Sequence, residues 1–287
     1  MTLFQSSPTA RVSASISLVL GCVATAGACT GMDGFMPGAL DVTVYGEQFV
    51  EQGIPAEAFA DGWTLRFDTF LVSLGEISAG GVFDDEPGMR APEYLVFDLA
   101  RPSAGAGFFV HSDMVPGGRY DDVEFRVAPT PSARAGNVSA DEVGFMVEQG
   151  FSVYAAGVAT RGQIEKTFAW GFQVPTRYQG CRSLAVVDGG RAATVLTLHA
   201  DHLFYDDLIS AEPDVRFDAL AAADDAGDGD GDGEISAAEL SAVDISGFER
   251  YQVGSFPVTD LWAFLEHQVG TLGHIDGEGH CERSTRE

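Results

Sequence analysis

The chain has 287 residues with a hydrophobic content of 45% and an aromatic content of 10%, enough to bury a substantial core and to exclude overall disorder. Its 43 acidic and 16 basic residues give a formal net charge of -27, which disfavours nucleic acid and anionic lipid surfaces as partners and favours cations. The acidity has a simpler interpretation as well, because net charge alone helps to keep an exported protein soluble.

The first 28 residues have the features of an export signal. Arg11 is the only basic residue before an apolar stretch at residues 12–28, which ends in Ala26, Gly27 and Ala28. No later stretch is apolar for long enough to cross a bilayer. We therefore predict an exported protein of the bacterial cell envelope that is either released or held at the membrane only by a lipid.

Two cysteines are candidates for lipid attachment, because Cys22 and Cys29 each follow an imperfect lipoprotein cleavage box. Cleavage before Cys29 leaves Cys181 and Cys281 as an even pair in an oxidising compartment, which favours Cys29 and predicts a Cys181–Cys281 disulfide. Cleavage before Cys22 and simple secretion without a lipid both remain open.

After a flexible tether at residues 29–39, short apolar segments alternate with clusters of Gly, Pro and Asp, a pattern typical of strands. The phase of the apolar residues changes near Asp68 and Thr69, which predicts a bulge there. A short helical pattern covers residues 141–149. The number and spacing of the strands favour a mainly β fold, an antiparallel β-sandwich at residues 40–210. The candidate strands are residues 40–45, 63–67, 70–74, 94–99, 120–127, 151–158, 166–174, 184–187 and 194–203.

From residue 211 the apolar period becomes helical. Pro213 suits a first helical turn, and apolar residues follow it along one helical face. Further helical periods cover residues 237–243 and 258–269. We predict a helical module at residues 211–270 and a loop-like tail at residues 271–287 that contains histidine and cysteine.

The segment between the first two of these helices is Asp228-Gly-Asp-Gly-Asp-Gly-Glu-Ile-Ser-Ala-Ala-Glu239. Calcium takes six to eight oxygen ligands, and an EF-hand loop provides them at positions 1, 3, 5, 7, 9 and 12. Gly233 occupies position 6, where the chain requires a positive φ, and we expect Ile235 at position 8 to point into the core. The candidate calcium ligands are Asp228, Asp230, Asp232, the carbonyl of Glu234, Ser236 through water, and a bidentate Glu239.

This pattern resembles the EF-hand family over residues 214–244, which implies a calcium-binding, α-helical EF-hand module at the C-terminal side of the β domain. A flexible acidic linker is the alternative, but it does not explain why Ile235 and Glu239 are in phase with the aspartates. Because only one such loop is evident, we expect a structural ion with a dissociation constant of about 10⁻⁴–10⁻³ M and not a switch.

Four histidines are candidates for a second metal. His199 and His202 close the last predicted strand, while His274 and His280 lie in the tail among acidic residues. Imidazole together with carboxylate suits copper or zinc. Residues three apart on a strand point to opposite faces, so His199 and His202 can act together only if the strand ends at Leu198. Ordinary surface or hydrogen-bonded histidines are the alternative.

Two further histidines, His111 and His267, are candidates for the same site. We expect His111 in a loop and His267 on the last helix, near His274. The predicted disulfide would pin the tail across the β domain near these histidines, and it would leave Cys281 unavailable as a metal ligand.

The order of several segments resembles the MbnP-like periplasmic copper-binding proteins over residues 40–208. These segments are an aromatic strand at 63–74, Gly118-Arg-Tyr-Asp-Asp-Val-Glu-Phe125, Lys166-Thr-Phe-Ala-Trp170, Cys181, and a final strand running into Leu203-Phe204. The resemblance implies a β-sandwich associated with copper handling. The acidic loop and the tail lie outside that pattern, so it assigns no copper ligands here.

No nucleophile elbow, phosphate loop, dinucleotide fingerprint or zinc-protease helix occurs in the sequence, and we expect no enzymatic activity. Paired carboxylates such as Asp121-Asp122 indicate nothing in so acidic a chain. The sequence thus predicts a calcium-binding protein. Its alternative is a transition-metal protein that uses the four histidines.

Overall fold

The computed structural model describes residues 36–81, 88–181, 185–226, 228–277 and 279–284. The predicted export signal and both candidate lipidation cysteines, Cys22 and Cys29, lie outside these residues. Within them, no helix has the length and apolar character that a membrane crossing requires.

The described residues are mainly β. Five α-helices occur among them: α1 (Glu47–Glu51), α2 (Ala140–Gln149), α3 (Asp218–Asp225), α4 (Ala237–Ala242) and α5 (Leu261–Val269), together with a 3₁₀ helix at Ala200–Phe204. The strands in the same ranges are β1 (Gly38–Tyr45), β2 (Thr64–Gly80), β3 (Met89–Ala91), β4 (Leu95–Asp98), β5 (Phe108–Val115), β6 (Gly118–Arg119), β7 (Asp122–Val127), β8 (Arg134–Ala135), β9 (Val153–Arg161), β10 (Ile164–Phe172), β11 (Thr176–Cys181), β12 (Ala185–Val186), β13 (Arg191–Leu198), β14 (Glu234–Ile235), β15 (Gly273–Ile275) and β16 (Glu282–Ser284).

The strands form two principal sheets. One has four strands in the order β15-β13-β1-β5, and the other has ten strands with the main path β14-β10-β9-β2-β7-β11-β16. Strands β3 and β4 attach to β2, β8 attaches to β4, and β6 pairs with β12. The mainly β, sandwich-like prediction is confirmed at this level.

The sheets are not purely antiparallel, and in this respect the prediction was wrong. Strand β13 runs parallel to β1, β14 runs parallel to β10, and β8 runs parallel to β4. Parallel neighbours need a long crossover, and the chain between β1 and β13 supplies one by building most of the larger sheet.

One hydrophobic core joins the two sheets to the helices of the C-terminal segment, while α2 packs through Met146 on a smaller cluster with Leu71 and Val96. Val42 of β1, Phe125 of β7 and Trp170 of β10 belong to the larger core, together with Phe217 beside α3 and Leu261 of α5. The alternating burial along β1 and β7 directs every second side chain into this core. The helical segment therefore packs directly on the β domain.

The predicted bulge is present. Except for Trp63, the predicted strands at residues 63–67 and 70–74 belong to one long strand, β2, whose pairing with β9 shifts register between Phe67 and Thr69. The shift changes which side chains face the core, as the phase of the apolar residues predicted.

Besides several strands of two or three residues, the sequence analysis did not predict two longer ones, β5 and β11. Strand β5 lies at the edge of the smaller sheet and is buried at only two positions, Val110 and Val115, so it lacks an alternating pattern. His111 lies on this strand, and the loop expected for it was wrong. Strand β11 is polar and contains Gly180, which hides it although Tyr178 and Cys181 are buried.

Three boundaries differ from the predictions. Helix α3 begins at Asp218 and not near Pro213, because Val215 forms β-bridges with Phe59 and Tyr205. The last long strand ends at Leu198 and continues as a 3₁₀ helix. The tail is not a plain loop, since β15 and β16 pair with the two sheets.

Candidate metal sites

The helix that leads into the acidic loop is fixed by the β domain. The backbone N–H groups of Phe217 and Asp218 donate to Asp61 Oδ2 at 2.7 and 2.8 Å. Trp63 Nε1 donates to Asp218 Oδ1 at 3.1 Å. An acidic side chain at a helix N-terminus satisfies free N–H groups and opposes the positive end of the helix dipole.

The other end of α3 is held by a buried lysine of the larger sheet. Lys166 Nζ lies against Asp224 Oδ2 and donates to Asp225 Oδ2 at 3.0 Å. Burial alone would lower the pKa of Lys166, but its bonds to the two carboxylates raise it. For Asp224, burial works toward a higher pKa, and the lysine together with the N–H of Gly233 lowers it. Both groups are therefore charged at neutral pH.

The acidic loop turns where the sequence predicted. Gly231 and Gly233 have φ values of +68° and +92°, which favour a residue without Cβ. Ile235 is fully buried, and its carbonyl accepts a hydrogen bond from Trp170 Nε1 at 2.7 Å. The N–H of Thr167 donates to the carbonyl of Gly233 at 2.8 Å. The short strand β14 thus docks the loop onto the edge of the larger sheet, beside β10.

The end of the loop begins helix α4. Ser236 is the N-cap, and its Oγ accepts the N–H of Glu239 at 3.2 Å. Glu239 Oε2 accepts the N–H of Ser236 at 2.8 Å, and its Oε1 accepts the N–H of Asp230 at 3.3 Å. This capping box holds the nearly buried Glu239 carboxylate against the loop.

The structure brings two of the predicted calcium ligands together with a residue outside the predicted loop. One carboxylate oxygen each from Asp224, Asp230 and Glu239 lie within 4.8 Å of one another. Asp228 is exposed and does not belong to this group. The acidic pair at residues 224–225, just before the loop, was the available signal for Asp224, and the twelve-residue pattern excluded it.

The side chains of Asp232 and Glu234 point away from the core. Asp232 and Glu234 are exposed, and Asp232 Oδ1 accepts the N–H of Glu234 at 2.7 Å. Asp230 Oδ1 accepts the N–H of Asp232 at 3.2 Å. These bonds give the loop successive tight turns and keep its carboxylates close to the chain.

The four candidate histidines converge because of strand pairing. Strand β13 ends at Leu198, so His199 leaves the sheet, and the following 3₁₀ helix returns His202 to the same side. Strand β15 pairs with β13 and sets His274 opposite Thr197. The objection from residue spacing therefore disappears, as predicted for a strand ending at Leu198.

The distances among the rings are short. The ring centre of His199 lies 5.4 Å from that of His202 and 4.4 Å from that of His274, and the centres of His202 and His274 are 5.2 Å apart. His280 lies 5.6 Å from His274. One potential ligand atom each from His199, Asp201 and His202 lie within 4.8 Å of one another.

Hydrogen bonds orient two of these rings. His202 Nδ1 lies 2.9 Å from the carbonyl oxygen of Thr271, which only accepts, so Nδ1 carries the proton and Nε2 keeps its lone pair. His199 Nε2 lies 3.3 Å from the carbonyl of Gly277, which leaves the lone pair on Nδ1. Burial, followed by the nearby His199, lowers the pKa of His202 to about 4. The His202 ring is therefore neutral at pH 7, the form that binds metals.

A cavity of about 450 Å³ opens beside this cluster. His202, His267, His274 and His280 line it, together with Arg283. His267 lies on α5 as predicted, and burial lowers its pKa. The cavity gives the cluster access to solvent.

The predicted disulfide joins Cys181 of β11 to Cys281, with 4.4 Å between the Cα atoms. It holds the tail so that β16 pairs with β11 and His280 stays beside His274. Cys281 is consequently excluded as a metal ligand.

The chain has no match among protein-family models, and no curated protein or solved structure is significantly similar to it.

Proposed function

We propose that this protein is an exported calcium-binding protein of the bacterial cell envelope, in which one EF-hand loop holds a structural calcium ion. The observation that supports this proposal most directly is that the carboxylates of Asp230 and Glu239, at loop positions 3 and 12, lie close together in one cluster. Calcium binds oxygen at about 2.3–2.6 Å, so two oxygens on one ion are at most about 5 Å apart. One carboxylate oxygen each from Asp224, Asp230 and Glu239 lies within 4.8 Å of the others, which is within that range.

The role of the ion follows from the elements that the loop joins. The cluster formed by Asp224, Asp230 and Glu239 contains residues of both α3 and α4, and the loop between these helices pairs with β10 through β14. Calcium bound there offsets the repulsion among the carboxylates and fixes both helices against the larger sheet. Because β14 pairs with the sheet and not with a second loop, the arrangement favours a structural ion over a sensor.

Calorimetric titration and thermal unfolding of the metal-free mature chain test this proposal. Calcium at ten times its dissociation constant stabilises the folded state by about 1.4 kcal/mol. We expect that increase in the wild type and its loss in Glu239→Gln. Magnesium is the ionic control, because it prefers a smaller octahedral site.

Glu148→Gln is the matched variant, since Glu148 is an exposed glutamate on α2. It should keep the full calcium effect. Equal calcium-induced shifts in the wild type and Glu239→Gln would show that calcium binds elsewhere.

The cellular location is part of the same proposal, with lipid attachment at Cys29 or at Cys22. It is supported by the leader sequence and by the Cys181–Cys281 disulfide, which suits an oxidising compartment. Metabolic labelling with a fatty acid in a bacterial host, followed by fractionation, tests it. Loss of label in either Cys29→Ser or Cys22→Ser identifies the lipidated residue. An unlabelled wild-type protein in the soluble fraction would establish simple secretion.

We propose, as a second function, binding of a copper or zinc ion by the histidine cluster. Three imidazoles on one tetrahedral ion have ring centres about 5 Å apart, given metal–nitrogen distances of about 2.0 Å. The ring centres of His199, His202 and His274 lie 4.4 to 5.4 Å apart, close to that value, and the ligand atoms that lie within 4.8 Å of one another belong to His199, Asp201 and His202. The MbnP-like resemblance also implies copper.

Metal analysis of protein from its host and titration with copper and zinc test this second function. His199→Ala or His274→Ala should weaken binding at least a hundredfold and leave the calcium effect intact. His111→Ala is the control, because His111 lies on β5 and is not part of the ring cluster. Unchanged affinity in all three variants would exclude the cluster.

A further inference from the structure

Asp224 is completely buried, and one of its carboxylate oxygens has no hydrogen-bond partner among the described residues. It lies in the last turn of α3 and is 0% exposed. Its Oδ2 lies against Lys166 Nζ and accepts the N–H of Gly233 at 3.1 Å. Its Oδ1 is also buried and has no hydrogen-bond partner among the described residues. A buried carboxylate oxygen without a partner lowers the stability of the folded protein, and a cation bound at Oδ1 would remove this loss.

The neighbours of Asp224 are acidic. One oxygen of its carboxylate lies within 4.8 Å of an oxygen of Asp230 and of one of Glu239. Lys166 neutralises only part of this charge, and its second partner, the exposed Asp225, lies outside this group of three. Three carboxylates at that spacing repel one another unless a cation of higher charge lies among them.

The backbone of the loop closes on Asp224. The N–H of Gly231 donates to the carbonyl of Asp224 at 2.9 Å, and a Cβ on Gly229 would collide with the same carbonyl oxygen. Gly229 and Gly231 therefore lie against the carbonyl of Asp224. Asp228 is exposed.

We infer that Asp224, and not Asp228, supplies the first calcium ligand, in an extended loop of 16 residues from Asp224 to Glu239. This inference rests on the proposed calcium function. Lys166 pairs with Oδ2 of Asp224 and leaves Oδ1 for the ion. The extended loop ties the calcium site to β10 of the larger sheet.

Calcium titration of three asparagine variants of the whole mature chain tests the inference. Asp224→Asn should lower the calcium affinity at least a hundredfold. Asp228→Asn should change it less than threefold. Asp225→Asn is the matched control, because it also removes a carboxylate from Lys166, and it should keep the affinity of the wild type.

A fourth variant separates the ligand from the ion pair. Lys166→Met removes the partner of Asp224 but keeps its carboxylate, and removal of a nearby positive charge should strengthen calcium binding. If Lys166→Met loses calcium as completely as Asp224→Asn, Asp224 acts only through its ion pair and the inference is overturned. If circular dichroism shows that Asp224→Asn does not fold, the calcium affinities of Lys166→Met and Asp228→Asn test the inference instead.

Failure of the inference and failure of the function give different results. Loss of calcium binding in Asp228→Asn, with binding kept in Asp224→Asn, would restore the twelve-residue loop and leave the calcium function standing. A wild-type chain that ignores calcium at millimolar concentrations would overturn both.

Discussion

The acidic loop and the histidine cluster differ in how far apart their residues lie along the chain. The loop ligands predicted from the sequence fall within residues 228–239, so their spacing alone predicts a site for a metal ion held by oxygen ligands. The cluster joins His199 and His202 to His274 and His280, and only the pairing of β13 with β15 brings them together. A contiguous site can therefore be predicted in large part from sequence, although Asp224 lies outside the predicted loop, whereas a dispersed site depends on strand register and on the disulfide.

The largest effect that we expect comes from removing the Cys181–Cys281 disulfide, which should affect the two sites differently. Cys181→Ser combined with Cys281→Ser opens a loop of 100 residues, which should lower the free energy of unfolding by about 4.7 kcal/mol in the chain-entropy model. Guanidinium denaturation measures the loss. Because the tail is freed, affinity for copper or zinc should fall while calcium affinity stays. Loss of both affinities in still folded protein would show that the sites are not independent.

The next effect is a pH dependence that belongs to the histidine cluster. Burial and the nearby His199 lower the pKa of His202 from 6.5 to about 4 in the folded protein, so between these values the unfolded chain binds more protons. Stability should therefore fall as the pH decreases from 6.5 to 4, by about 3 kcal/mol.

Urea denaturation of metal-free protein in a chelator, compared with His202→Gln, isolates this contribution. The variant should show a flatter pH profile over that range. Parallel profiles would mean that the ring is protonated as easily in the folded state as in the unfolded chain.

A smaller effect concerns the backbone of the loop. Gly233→Ala forces a Cβ into a conformation with φ of +92° and should cost about 1–2 kcal/mol. Gly162→Ala is its matched control, with φ of +64° and open space around it in the turn between β9 and β10. Both variants should lose stability by thermal unfolding, but only Gly233→Ala should also bind calcium more weakly. Equal calcium affinity in the two variants would contradict a role for the Gly233 turn in the site.

The smallest effect compares two helix caps. Ser236→Ala and Ser139→Ala each break a capping box, at α4 and α2, and each should cost about 1 kcal/mol in metal-free protein. Calcium should widen the difference between them, since only Ser236 belongs to the calcium loop. Chemical denaturation with and without calcium measures it. A calcium-dependent change in Ser139→Ala would point to an ion outside the loop.

Much of the fold was predictable because strand periodicity and turn residues are local properties. The bulge in β2 near Asp68 and the turn at Gly233 followed directly from the order of residues. Strands β5 and β11 did not, because an edge strand and a polar strand carry no alternating pattern. Their places are fixed by neighbours that are distant along the chain.

The sequence by itself determined the mainly β fold, the even pair of cysteines and the spacing of the acidic loop, since each depends on short-range periodicity or on counting. Only the tertiary structure decided that β13 runs parallel to β1 and that Asp224 lies beside Asp230 and Glu239. The same is true of the cluster formed by the four histidines. Those contacts depend on how strands pair and where Lys166 anchors α3, and long-range packing sets both.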